Sequence, residues 1–359
     1  MRTAHLAVEV SGFGRHPEAW RQAGVPREAL LTPAHHIAVA QLAAQSGADF
    51  VALPDSFGAG SGLDAVAIAA RVAPVVPGIG LVPTVTTTHT EPFHTSKAIA
   101  TLDLVSSGRA GWEPAVSRTA GEAAQFGRKP AAEPAELWRE AAETIEVVVA
   151  LWDSWEDDAV IRDVATGRYV DRDKLHYVDF SGEFFSVKGP SITPRSPQAH
   201  PLIVLRAEPD SLAVAARWAD VVRITAPDLS AAHAARERIR AAVTDAGRDP
   251  DAVAVLLDVE ILLAADENAA RRRFDELGEL AEETLRVVGS PEAFVDVLAE
   301  GAVDGVTAIP LTLPGGLRVL ADEVAPRLLA AGLRTPADPA ATLRERFGLP
   351  RPANVLTGA

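Results

Sequence analysis

The chain of 359 residues has no cysteine. That excludes disulfides, thiolate nucleophiles and zinc-thiolate or iron-sulfur ligation. Aromatic residues make up only 5% of the sequence, with two tyrosines and one methionine, so the composition leans toward alanine and small aliphatics. Positive charge is also scarce: 34 Lys and Arg face 49 Asp and Glu, a formal net charge of −15, and no compact basic run interrupts that balance. Nucleic acid and anionic lipid are therefore disfavoured as partners. No stretch approaches the ~18–20 apolar residues of a membrane span, and MRTAHLAVEVSGFG lacks a signal-peptide core. A cytoplasmic protein without a membrane partner is expected.

Against these absences stand 48% hydrophobic residues in short runs of strand length. Eight runs read as strands: 5–10, 49–54, 80–85, 110–116, 201–207, 220–225, 253–262 and 305–310. Alanine-rich segments with helical spacing lie between them, at 33–46, 63–73, 96–106, 134–152, 210–219, 229–246, 267–286 and 290–300. This alternation predicts an α/β chain folded as a (β/α)8 TIM barrel, and no GxGxxG follows a strand to suggest an open dinucleotide-binding sheet. Residues 1–349 are expected to form one barrel and 350–359 a loosely held tail. The segment 153–200 is rich in charge, Gly and Pro and lies between the fourth helix and the fifth strand. It reads as a lid insertion with a hairpin around Ser181-Gly182.

In such a barrel, reactive groups belong at the C-terminal ends of strands. This rule selects Glu9 and Phe13, Asp55 and Ser56, the hydroxyl row with Thr84, Thr86 and His89, Glu113, Arg206 and Arg223. His89, Glu91 and His94 are spaced as metal ligands could be, but no further ligands accompany them on other strands, so no metal is expected. Asp55 reads either as a site group or as a helix cap. In LDLVSSGRAGWEPAVS (102–117), Gly108 ends a crossover helix, Arg109 anchors the entry to strand four and Trp112 packs.

Taken together, GADFVALPDS (47–56), GLVPTVTTTHTEPFHTSKAIATLDLVSSGRAGW (80–112), ALWDSWEDDAV (150–160), HYVDFSGEFFSVKGPSITPRSPQ (176–198) and GSPEAFVDVLAEGAVDGVTAIPLTLPGGL (289–317) resemble the bacterial-luciferase-like flavin-dependent monooxygenases. Within that family they resemble the nitrilotriacetate and dibenzothiophene-sulfone branch. The resemblance implies reduced FMN delivered by a separate flavin reductase, O2, a small organic substrate, and a homodimer or homotetramer. It places Asp55, Thr84, Thr86, Glu113, Trp138, Arg206 and Ser211 at the cofactor. The substrate contacts suggested by loop position are Phe13, His16, Phe57, His89, His176 and Phe184, and no catalytic residue is assigned.

The chain also departs from the branch. Glu113 replaces the asparagine of a GWN motif. Leu137-Trp138 replaces an RY pair, and 204–211 (VLRAEPDS) replaces the QAGxS turn that helps to hold the flavin phosphate. Arg206 then either contacts the phosphate or pairs with Glu208 or Asp210 at the surface. Glu113 beside a reduced flavin requires either a raised pKa or a salt bridge. The altered site leaves two alternatives open: an F420-dependent oxidoreductase, or a non-catalytic ligand-binding homologue.

Overall fold

A computed structural model describes residues 3–58, 62–336 and 338–357. Eight parallel strands follow the predicted runs closely: β1 His5–Glu9, β2 Phe50–Leu53, β3 Gly80–Thr86, β4 Gly111–Ala115, β5 Leu202–Arg206, β6 Val221–Ile224, β7 Ala254–Leu263 and β8 Gly305–Pro310. Each pairs in parallel with its sequence neighbour, and β1 pairs with β8, so the sheet closes. This is a TIM barrel.

Helices α1 Pro33–Gln45, α2 Ala65–Val72, α3 Pro92–Ser106, α4 Ala120–Phe126, α5 Pro134–Asp153, α6 Leu212–Trp218, α7 Leu229–Asp245, α8 Glu267–Leu277 and α9 Pro291–Ala299 surround it. Proline at the first position starts α1, α3, α5 and α9, where a missing N–H costs nothing. The helix expected over 267–286 stops at Leu277 instead. Gly278 takes φ +94° there, and Arg286–Gly289 leaves helical geometry to pair with the upper end of β7. The short α4 was not anticipated, although Thr119 and Glu122 form a reciprocal capping box in front of it.

Alternation along the strands divides the core in two. Leu6, Val8, Val51, Leu81, Ile203, Leu205, Val222 and Leu257 pack outward against the helices. Ala7, Phe50, Ala52, Val82, Leu202, Val204, Val221 and Leu256 pack together inside, with Leu343 and Leu349 from the C-terminal segment sealing the lower end. Gly80 makes room for this seal, since a Cβ there would lie 2.7 Å from a Leu343 methyl. Leu343→Ala is expected to cost about 2–5 kcal/mol through lost burial and a residual cavity, read as a lower urea midpoint with unchanged slope.

Arg109 anchors the same end. Its guanidinium donates to the carbonyls of Val76, Ile79 and Ala73 at 3.1, 2.7 and 2.8 Å. Trp112 is fully buried against Trp152, edge to face. The segment 153–200 leaves α5 at this lower end. Arg195 is bound to Asp153, and Asn354 of the C-terminal segment donates to the carbonyls of Asp153 and Trp155. Arg351 holds Asp157 there as well. The segment carries two small hairpins, Val160–Asp163 with Arg168–Val170 and Phe180–Ser181 with Ser186–Val187. The second turns at 182–185, just beyond the predicted Ser181-Gly182.

Candidate active site at the barrel mouth

The side chains that face inward at mid-height are small and apolar. Two residues further along the same strands, the inward positions become Glu9 on β1, Thr84 on β3, Glu113 on β4, Arg206 on β5, Arg223 on β6 and Asp258 on β7. Barrel interiors are normally filled by branched aliphatics; here the layer beneath the mouth is ionic.

Its geometry is closed on itself. Arg223 donates to Asp258 Oδ1 and Oδ2 at 2.9 and 3.0 Å, to Glu113 Oε2 at 2.9 Å and to Glu9 Oε2 at 2.7 Å. Arg206 donates to Glu113 Oε1 at 3.0 Å and Asp258 Oδ2 at 3.1 Å, and pairs with Glu9 as well. The Thr84 hydroxyl donates to Glu113 Oε1 at 3.2 Å. Arg223 is wholly buried whereas the Arg206 side chain is 36% exposed, so Arg206 is the cation of the layer that a molecule in the mouth can reach. Neither Glu208 nor Asp210 is a partner of Arg206. The surface pairing considered from sequence does not form, because the arginine alternates inward with Val204.

Three carboxylates facing two guanidinium groups leave one negative charge in excess. Burial pushes every carboxyl up, and proximity to the arginines decides which of them stays ionised. At Glu9 the guanidinium groups of Arg223 and Arg206 outweigh burial and bring the carboxyl down to about 2. At Glu113 burial is again opposed by Arg206 and Arg223, and the carboxyl lies below its ordinary range. At Asp258 burial prevails and the carboxyl lies above it. Glu113 is therefore salt-bridged, with its pKa lowered; the raised-pKa version of the expectation is not what the geometry produces.

The turn after β5 is also filled. Ser211 Oγ accepts from the Glu208 amide at 2.8 Å and donates to the Arg206 carbonyl at 3.0 Å. The Glu208 carboxylate accepts from Trp138 Nε1 at 3.1 Å and pairs with Arg118. Trp138 is thus a buried wall whose one polar atom already has a partner.

Asp55 Oδ2 accepts from the Ala65 amide at 2.9 Å at the start of α2. It also borders a cavity of about 370 Å³ that runs from Phe57, Thr84 and Thr86 at the strand ends to Ala70 of α2 and His94 and Lys97 of α3, a volume in the range of small-ligand sites. Among the described residues, Thr86 Oγ1, Ser117 Oγ and both ring nitrogens of His89 are buried without a hydrogen-bond partner. All three residues sit at the upper ends of the adjacent strands β3 and β4. Buried polar groups are normally satisfied, and of these three residues Thr86 also lines the cavity beside Asp55.

The other predicted contacts scatter. His16 packs edge-on to Phe274, with its Nε2 3.3 Å from the Gly278 carbonyl, and Phe13 accepts from the Leu313 amide through its carbonyl. His176 lies beside Glu156 at 2.9 Å, just past the lower end of α5 and away from the mouth. Phe184 lies along α5, under the guanidinium of Arg139. Only Phe57 and His89 converge, on Phe126 of α4. Phe126 and Asp258 were not picked out from sequence. The former lies on the unpredicted helix, and the latter sits mid-strand in VAVLLDVEIL, where its inward direction is set by the closure of the barrel.

A closed eight-stranded barrel with a polar mouth is the architecture of TIM-barrel enzymes, whose sites lie at the C-terminal strand ends. The profile described as luciferase-like monooxygenase matches residues 13–307, and the chain belongs to that family. It is a flavin-dependent monooxygenase, and hence an oxidoreductase. N-acetyl-S-(2-succino)cysteine monooxygenase of Bacillus subtilis is 29% identical over 97% of both chains. Dibenzothiophene-sulfone monooxygenase of Rhodococcus erythropolis is 33% identical over 80% of this chain, which spans 63% of that protein. The crystal structure of the long-chain alkane monooxygenase LadA superposes with a TM-score of 0.90 at 22% identity, covering 97% of this chain and 96% of that one.

Proposed function

We propose that this monooxygenase oxidises a small organic molecule with O2 and reduced FMN supplied by a separate flavin reductase. In this reading Asp55, Thr84 and Thr86 hold the ring edge and Arg206 faces its electron-rich side. The observation that carries the reading is the unsatisfied Thr86 hydroxyl beside Asp55, above an ionic floor whose one reachable member is a cation. When bound, reduced FMN supplies the electrons that activate oxygen.

The chain's own residues set the environment. Arg223 and Arg206 neutralise Glu113, so no bare carboxylate faces an anionic ring. Thr84 fixes the Glu113 rotamer, and the apolar interior below keeps the floor dry. At the turn after β5, Glu208 takes the donors of Arg118 and Trp138 that a phosphate would use. This favours weak, exchangeable cofactor binding and fits a flavin that arrives as a co-substrate. The F420 reading is not favoured, since the two curated relatives above are named as monooxygenases. A cytoplasmic homodimer or homotetramer belongs to the same reading, and light scattering on the purified chain would measure the assembly.

Anaerobic titration tests the cofactor. Saturable binding of reduced FMN is expected, with Arg206, the exposed cation of the layer, placed to meet its added negative charge. Aeration should then return the oxidised flavin spectrum more slowly than free flavin does. Absence of binding, or a preference for oxidised FMN, overturns the assignment.

A further inference from the structure

The ionic layer carries one charge that its own members do not balance. Glu9 on β1, Glu113 on β4 and Asp258 on β7 share the guanidinium groups of Arg206 on β5 and Arg223 on β6. Among the described residues the other strands add no ionisable group at this level. Phe50 and Ala52 of β2 are inward and apolar, and β3 and β8 contribute the hydroxyls of Thr84 and Thr307. Higher on β7, Glu260 is occupied by Arg15 and Arg286. Arg223 is wholly buried, whereas the Arg206 side chain is 36% exposed, so an anion that reaches the layer from above meets Arg206. Lys97, at the far end of the cavity on α3, lies outside the layer, and an anion held there leaves the charge of the layer unchanged.

Thr307 is the idle member of this group. Its neighbours in register are Ala7 on β1 and Asp258 on β7. Ala7 belongs to the inner packing, and Val306 and Ala308 on either side of Thr307 pack outward, so the Thr307 side chain faces the barrel interior beside Asp258. It is fully buried, and its hydroxyl has no hydrogen-bond partner. The three carboxylates, the two arginines and Thr84 are all bonded to one another. A buried hydroxyl is normally satisfied, so an idle one beside a buried carboxylate fits a second state of that carboxylate, in which it carries a proton and needs an acceptor.

Charge gives the direction of that change. An anion bound to Arg206 neutralises its guanidinium and leaves three buried carboxylates facing Arg223 alone. Like charges crowded in a dry interior favour uptake of a proton. Asp258 is the member that accommodates it best: burial, and then Glu9, push its carboxyl up against the pull of Arg223 and Arg206, and it lies above its ordinary range. Glu9 and Glu113 lie below theirs. Withdrawing Arg206 removes one of the two attractions that hold Asp258 down, so its affinity for a proton rises further.

We propose that anion binding at Arg206 and proton binding at Asp258 are one coupled event. The anion draws Arg206 off the layer, a solvent proton bonds to a carboxylate oxygen of Asp258, and Thr307 Oγ1 accepts the new O–H. No electrons move, and layer and anion together return to the single excess negative charge of the resting layer. Asp258 and Thr307 are positioning residues, which act on the ligand through Arg206. The identity of the anion rests on the flavin reading above: it is the ring of reduced FMN, and the FMN phosphate is the other source of the same chemistry.

Anaerobic calorimetry of the purified chain with reduced FMN, in buffers of different ionisation enthalpy between about pH 5 and 8, counts the protons. At its maximum, uptake should approach about one proton per flavin bound, and over that range reduced FMN affinity should fall by up to about tenfold per pH unit. Oxidised FMN carries the same phosphate on a neutral ring. Uptake with reduced FMN alone identifies the ring as the anion, equal uptake with both identifies the phosphate, and either result supports the coupling. Asp258→Asn, which leaves two carboxylates with two arginines, should abolish the uptake.

A second measurement needs no ligand. Arg206→Gln removes the cation as a bound anion would, and the infrared band of the protonated Asp258 carboxyl should then titrate at least about one pH unit higher than in the parent. The band is identified by its loss in Asp258→Asn and by its movement on 13C labelling of aspartate but not of glutamate, since Asp258 is the one aspartate of the layer. Thr307→Val should lower its midpoint. Calorimetry on the parent covers the case in which Arg206→Gln does not fold. Flavin binding without proton uptake, uptake that persists in Asp258→Asn, or an unchanged midpoint in Arg206→Gln overturns the coupling. An unchanged midpoint in Thr307→Val overturns the part given to the hydroxyl. Failure of both flavins to bind the parent overturns the flavin reading instead, and the infrared titration then decides the coupling alone.

Discussion

Replacing Arg223 with methionine is expected to destabilise the fold by about 3–5 kcal/mol, the cost of leaving buried charges without their partner. Arg223 is fully buried and donates to Glu9, Glu113 and Asp258. Without it, those three carboxylates face Arg206 alone, in an interior layer with little water to screen them. Methionine roughly matches the volume, so the loss reports charge more than packing. A second substitution, Asp258→Asn, should return part of the stability because it removes one of the stranded anions. Urea unfolding of both variants provides the measurement, and a loss under about 1 kcal/mol in Arg223→Met would show that the layer is not held by ion pairing.

The same layer gives stability a pH dependence of mixed sign. Glu9 has a folded pKa of about 2 against an ordinary 4.5. Its contribution is full above about pH 4.5 and is lost as pH falls toward 2. Glu113, also lowered, acts in the same direction. Asp258 is raised, so protonating it in the folded state is favourable and it recovers stability as pH falls through its folded pKa. The parent should therefore lose stability on acidification less steeply than three lowered carboxyls would require. Arg223→Met, already short of one cation, should lose less again on going from pH 5 to pH 3.

Much of the barrel was legible because strand length, alternation and proline-started helices are local properties. The eight strand runs agree with the structure to within about a residue or two at each end. The extension of α8 to residue 286 was misread because ELAEETLRV carries helical composition, while the pairing of Arg286–Gly289 with the end of β7 is a tertiary fact. The site was legible in its parts but not in its connections. Glu9, Glu113, Arg206 and Arg223 all follow from the strand-end rule. That they bind one another depends on barrel closure, which brings β1, β4, β5, β6 and β7 around one interior. His176 shows the converse. Its place in a long polar insertion suggested a lid contact, yet the insertion departs from the lower end of α5, and no local signal in 153–200 records which end of the barrel it leaves.

Closure also joins two residues that look separate in sequence, Glu113 and Arg206. The two side chains meet at 3.0 Å, and a double-mutant cycle with their neutral amide counterparts should expose the coupling. Arg206→Gln alone leaves three carboxylates with Arg223 only and is expected to cost about 3 kcal/mol or more. Glu113→Asn alone leaves two carboxylates with two arginines, a balanced layer, and should cost about 1 kcal/mol for the weakened hydrogen bonds. The double variant has two carboxylates and one arginine, the same excess charge as the parent, and should be more stable than Arg206→Gln by about 1–3 kcal/mol, within the range of contacting pairs. Reduced FMN affinity should follow the same order, falling most in Arg206→Gln, where uncompensated carboxylates face the ring, and recovering in the double variant. Additive stabilities in the cycle would mean that Arg206 and Glu113 are not energetically coupled.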